Sequence, residues 1–194
     1  MLAIFFSVLV WSGIAPKDRF TWWLEAMPAF IAFPLLLLTA RRFPLTRLSY
    51  CLICLHALIL FVGAHYTYAE VPAFDWLRDK YALGRNDYDK LGHFVQGFVP
   101  ALIGRELLLR TSPLKPGKWL FVIIVLGCLG ISAAYELVEW LVAVNTGTSA
   151  DAFLGTQGDV WDTQKDMATA FIGAVAGLLT LSWAQNRELG MPRA

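Results

Sequence analysis

Three short sets of acids and histidine stand where a long apolar sequence should not tolerate them. Asp89 and His93 are spaced i, i+4. Glu136 and Glu139 are spaced i, i+3, and Asp159, Asp162 and Asp166 follow i, i+3, i+7. On helices, each spacing puts its members on one side. Carboxylates and imidazole together suit three kinds of chemistry: binding a divalent cation, relaying protons or ions, and pairing with Arg and Lys in a structural network. His65 and Glu70 end another apolar stretch and extend the candidate site.

Aspartates at helix starts have a simpler explanation, because carboxylates accept bonds from free N–H groups and favour the positive end of the helix dipole. Capping covers Asp89, Asp159 or Asp162. It does not cover Glu136 and Glu139, which close an apolar helix at its C-terminal end, where the dipole disfavours negative charge. Nor does it explain His93. Two such glutamates require a cation, protons or basic side chains nearby, and ionisable groups inside membrane helices mark function by default. A divalent cation held by His93, Glu136, Glu139 and an aspartate would activate water or clamp a phosphate of a lipid or envelope precursor. A proton- or ion-coupled pathway for a small solute is the second reading. The third is a non-catalytic scaffold or partner subunit in which Arg85, Lys90 and Lys165 neutralise the acids. Spacing alone leaves all three open.

The elements that position these groups follow from composition. Hydrophobic residues make up 57% of the 194-residue chain, charged residues only 16%, and the mean hydropathy is +0.55. A soluble domain carries about 25% charged residues, so lipid must solvate much of this surface. A net charge of +1 gives no basic field for nucleic acid. Spans of about 20 residues predict an all-α, polytopic bundle of about six transmembrane helices, forming a single transmembrane domain over 1–194. The expected helices are Leu2–Ala15, Trp22–Ala40, Leu48–Tyr68, Leu91–Leu109, Trp119–Val144 and Met167–Trp183. The first lacks a basic segment before Lys17 and reads as a short span, not a cleaved leader.

Basic residues orient the bundle. Arg41, Arg42 and Arg47 follow the second span, and Arg105, Arg110, Lys115 and Lys118 surround the connection after the fourth; Arg187 and Arg193 lie in the tail. The positive-inside rule puts these on the cytoplasmic side with both termini. The three acid and histidine sets then converge on the outer face. The bias is moderate, since Lys17 and Arg19 lie outside on this scheme.

Other residues have plainer readings. Cys51, Cys54 and Cys128 lie in apolar segments and read as packing. Mid-span His56 is expected to hydrogen-bond a neighbouring helix. Trp22, Trp23, Trp76, Trp119, Trp140, Trp161 and Trp183 read as interfacial anchors. Ala170, Gly173 and Gly177 recur at helical spacing and suit close intramolecular packing.

Four blocks carry a resemblance. They are His65-Tyr66-Thr67-Tyr68-Ala69-Glu70-Val71-Pro72, Tyr88-Asp89-Lys90-Leu91-Gly92-His93-Phe94, Tyr135-Glu136-Leu137-Val138-Glu139-Trp140, and Gly155 to Met167. In this order the chain resembles the YjdF-like family of bacterial inner-membrane proteins over nearly its whole length. The resemblance implies a multi-pass inner-membrane protein in contact with membrane lipids, and it carries over no catalytic residue. The Asp89-Lys90-x-x-His93-Phe94 block is also similar to one in VanZ-like membrane proteins.

Overall fold

In the computed structural model, residues 1–147 and 151–191 are described, and every regular element among them is helical. The helices are α1 (Leu2–Gly13), α2 (Arg19–Thr39), α3 (Arg47–His65), α4 (Pro72–Tyr81), α5 (Tyr88–Thr111), α6 (Lys118–Thr146), α7 (Asp151–Leu154) and α8 (Asp162–Glu188). By length and composition α2, α3, α6 and α8 are apolar enough to cross a membrane; α1 is apolar but shorter. In each of the four, only 28% of the most apolar stretch is buried. The rest faces outward, with Leu38 and Leu179 more than two-thirds exposed. This is a multi-pass membrane protein.

Local chemistry sets the helix ends. Asp18 accepts the Thr21 N–H at 2.6 Å to start α2, and Thr46 accepts the Ser49 N–H at 3.2 Å to start α3. Pro72 is the first residue of α4 and Ala82 closes it in the left-handed conformation. Pro113 and Pro116 separate α5 from α6.

The observed bounds correct the expected ones at both ends of the site. The third expected helix stops at His65, and residues 66–70 form a turn. The fourth begins at Tyr88, three residues early, because the run from Tyr88 continues the helix through its polar residues. The sixth begins at Asp162, so Asp159 lies in the preceding turn and not on the helical face predicted for it. The amphipathic α4 was not anticipated, since its ten residues alternate charged and aromatic side chains without a long apolar run.

Two cores share α3. Phe5, Trp22, Ala26 and Phe61 pack α1 and α2 on one of its sides, while Val99, Leu102, Ile124 and Leu178 join α5, α6 and α8 on the other. Trp22 is thus a core residue, 6% exposed and donating Nε1–H to Ser12 Oγ at 3.2 Å, and not an anchor. The other six expected anchors are exposed. The closest helix pair is α5 with α8. A Cβ on Gly97 would strike the Ala170 carbonyl, and one on Gly173 would strike that of Phe94. Small residues here let two backbones touch.

A second polar cluster ties the opposite end together. Glu106, fully buried, accepts bonds from the Thr46 N–H at 2.8 Å, Thr46 Oγ1 at 2.7 Å, Ser49 Oγ at 2.6 Å and Arg110 at 2.8 Å. Arg105 beside it donates to Gln185 Oε1 and Asn186 Oδ1 of α8.

Candidate functional site

The starts of α5 and α8 and the final turns of α6 meet at one end of the bundle. His93 is 6% exposed, and its Nε2 faces three carboxylate oxygens: Asp89 Oδ1 at 3.5 Å, Glu136 Oε1 at 3.8 Å and Asp166 Oδ1 at 3.8 Å. Asp89, His93 and Asp166 each offer a ligand atom, all within 4.8 Å of one another. Glu136 Oε1 and His93 Nδ1 are buried without hydrogen-bond partners among the described residues.

Beside this group lies an ion-pair network. Lys90 Nζ is 2.6 Å from both Asp162 Oδ1 and Asp166 Oδ1. Arg85, in the loop before α5, pairs with Asp162 and reaches Asp89 at 3.5 Å and Asp159 at 3.9 Å. It also donates to the carbonyls of Gly155 and Thr156. Burial opposes the Arg85 charge, yet the bond it donates to Asp162 and the surrounding carboxylates outweigh it and raise its pKa. The hydrogen bond from Lys165, at 2.5 Å, and that from the Trp161 N–H hold the Asp159 carboxyl below the usual range. Asn86 and Gln157 exchange bonds of 3.0 and 2.8 Å, locking the loop before α5 to the turn before α8.

The predicted residues therefore fall into separate groups. Asp89, His93, Glu136 and Asp166 come together. Asp162 joins them through Lys90, and Asp159 stands at the margin with Lys165. Glu139, 9% exposed, lies one turn beyond Glu136 on α6. The atoms grouped around His93 include Asp89 and Asp166, where spacing had left unspecified which aspartate joins the metal set. His65 and Glu70 are engaged elsewhere. His65 Nδ1 is 3.0 Å from the Ser12 carbonyl oxygen and its ring stacks on Trp11, while Glu70 pairs with Lys17. Both clasp the turn between α1 and α2.

Sequence reasoning passed over Glu25. It is 6% exposed within α2, and Tyr135 Oη donates to its Oε2 at 3.4 Å, beside Glu136 in sequence. An acid two turns inside an apolar span was the available signal. Six carboxyl groups (Glu25, Asp89, Glu136, Glu139, Asp162, Asp166) now share this end of the bundle with three cationic or titratable bases, Arg85, Lys90 and His93.

Comparison with known proteins adds the family. Residues 1–187 match the family described as "Predicted membrane protein (DUF2238)". The chain belongs to this family. The inner membrane protein YjdF of Escherichia coli (strain K12) is 49% identical over 182 residues, which cover 94% of this chain and 87% of the relative. No solved structure matches. The matched residues include the whole site, from Glu25 through Asp166.

Proposed function

We propose that this DUF2238 protein is an inner-membrane protein whose polar cluster binds a divalent cation and acts on a phosphate-bearing lipid or envelope precursor. The observation that carries the reading is the set of three carboxylate oxygens 3.5–3.8 Å from His93 Nε2. Ligands bonded to a cation at roughly 2.0–2.4 Å stand roughly 3–4 Å from one another. The partnerless Glu136 Oε1 is the kind of buried acceptor that a cation would satisfy. Mixed imidazole and carboxylate donors suit Zn2+ or Mn2+. Such an ion would supply Lewis-acid activation of a phosphate or of water.

The same reading takes α1, α2, α3, α5, α6 and α8 as six spans with both termini cytoplasmic and the cluster at the outer face. The basic loops after α2 and α5 support it. Reporter fusions at residues 45, 80, 114 and 155 test it. A cytoplasmic signal at 155 would sink the outer-face assignment.

Metal analysis of detergent-purified protein tests the cation. Wild type should hold Zn2+ or Mn2+ near one ion per chain, and His93→Ala and Asp166→Asn should lose it. Equal content in all three, or none in wild type, would end the reading. One observation favours the scaffold alternative: Lys90 and Arg85 already neutralise Asp162 and Asp166. Metal-free protein that carries a pH-dependent solute flux in vesicles would instead favour coupled transport.

A further inference from the structure

Between α1, α2, α3 and α5 lies an apolar cavity of about 480 Å³, lined by residues including Leu2, Ala29, Ala32, Ala57, Pro100 and Ile103. That volume falls within the ~300–1,000 Å³ of small-molecule sites. Its walls come from small residues and from helices interrupted by proline, Pro28 and Pro34 in α2 and Pro100 in α5. Proline lacks the N–H of the regular ladder and bends the helix that holds it. Within a span this is tolerated where packing or a cavity accommodates the bend. His56 lines this cavity, and among the described residues it makes none of the interhelical bonds expected of it.

Two helical stripes run from the polar cluster toward the cavity, which their apolar members line. On α2 they are Glu25, Ala29, Ala32 and Leu36, at i, i+4, i+7 and i+11. On α5 they are His93, Gln96, Pro100 and Ile103, at i, i+3, i+7 and i+10. Each stripe begins with a buried ionisable group and ends in apolar wall. Among the described residues Gln96, on the turn between, keeps its side-chain oxygen buried without a partner, as His93 keeps its Nδ1. Polar groups with spare hydrogen-bonding capacity therefore stand one helical turn from the lining of an apolar chamber, Glu25 before Ala29 on α2 and Gln96 before Pro100 on α5. An aqueous solute would find almost no polar atom in that chamber. A hydrocarbon chain is suited to it, and the surrounding surface of Leu35, Leu37 and Leu38 is lipid-facing.

We propose that the cavity receives one acyl chain of a phospholipid whose phosphate head lies at the His93 cluster. The placing of the head rests on the cation reading, because a cation is needed between phosphate and carboxylates; the seating of the chain does not.

Native mass spectrometry of detergent-solubilised protein with added palmitoyl-oleoyl phosphatidylglycerol tests it, using Ala32→Phe and, separately, Ile103→Trp to fill the cavity. Leu179→Phe on the exposed face of α8 controls for lipid bound around the outside. Wild type and Leu179→Phe should retain bound lipid. Either filling variant, if it elutes as a monodisperse species, should lose it at least about tenfold, equivalent to about 1.4 kcal/mol. Equal retention by a folded filling variant, or equal loss in the Leu179→Phe control, overturns the proposal. Lipid held by metal-free wild type and lost from the filling variants would reject the cation reading and leave the acyl-chain site standing.

Discussion

Lys90 Nζ lies 2.6 Å from Asp166 Oδ1 and, on its other side, 2.6 Å from Asp162 Oδ1. One ammonium therefore joins the first turn of α5 to the first two turns of α8, and both aspartates are almost fully buried. Removing one partner of a buried pair leaves the other charge uncompensated, which costs about 3–5 kcal/mol. Lys90→Met should lower stability by about 3 kcal/mol by that rule, read as thermal unfolding in detergent. Adding Asp162→Asn should recover part of the loss. A double variant as unstable as the sum of the singles would show that the three groups do not act together.

The contact between α5 and α8 gives a sharper contrast. A methyl group at Gly97 meets the backbone of Ala170, whereas one at Gly104, on the same helix, meets nothing within 4 Å. Gly97→Ala should destabilise by about 1–3 kcal/mol or more, since backbone cannot move aside as a side chain can. Gly104→Ala should be neutral or stabilise by roughly 0.5–1 kcal/mol through helix propensity. Unfolding of the two variants side by side checks the pair, and equal effects would contradict the packing described.

Glu106 should behave as a structural acid. Its carboxylate accepts from Thr46, Ser49 and Arg110 in a fully buried setting. Glu106→Ala orphans these donors, at about 1–3 kcal/mol for each group left unsatisfied. The melting temperature should fall sharply while metal content per folded chain stays unchanged. A variant that loses metal without losing stability would move Glu106 from scaffold to site.

Asp159 supplies a pH test outside the spans. Its carboxyl is held below its ordinary pKa of about 3.9 by Lys165 and the Trp161 N–H. A depressed folded-state pKa contributes stability that is complete above the unfolded value and disappears as pH falls through the folded one. Wild type should therefore lose more stability than Asp159→Asn between about pH 5 and pH 3. Melting curves of both proteins across that interval measure the difference, and parallel curves would remove Asp159 from the network.

Much of this molecule was legible in its sequence because lipid imposes a simple rule. Apolar runs of sufficient length become spans, and charged residues within them stand out. The positions of α2, α3, α6 and α8 followed from that rule, as did the pairing of Asp89 with His93, which one helical turn brings together. Glu25 was equally conspicuous by the same criterion. The amphipathic α4 was not, because a ten-residue helix at a surface needs no long apolar run.

What required the tertiary structure was the choice among neighbours. Spacing put Glu136 and Glu139 on one side of a helix, but only the mutual packing of α5, α6 and α8 brought Glu136 and Asp166 within 3.8 Å of the same His93 nitrogen. Only the fold drew His65 and Glu70 away to the α1–α2 turn and gave Lys90 to two aspartates more than seventy residues distant. Helical periodicity is local and can be read along the chain. Which faces meet depends on the close approach of Gly97 and Gly173 to the backbone of the partner helix, a contact between distant segments that no single stretch of sequence contains.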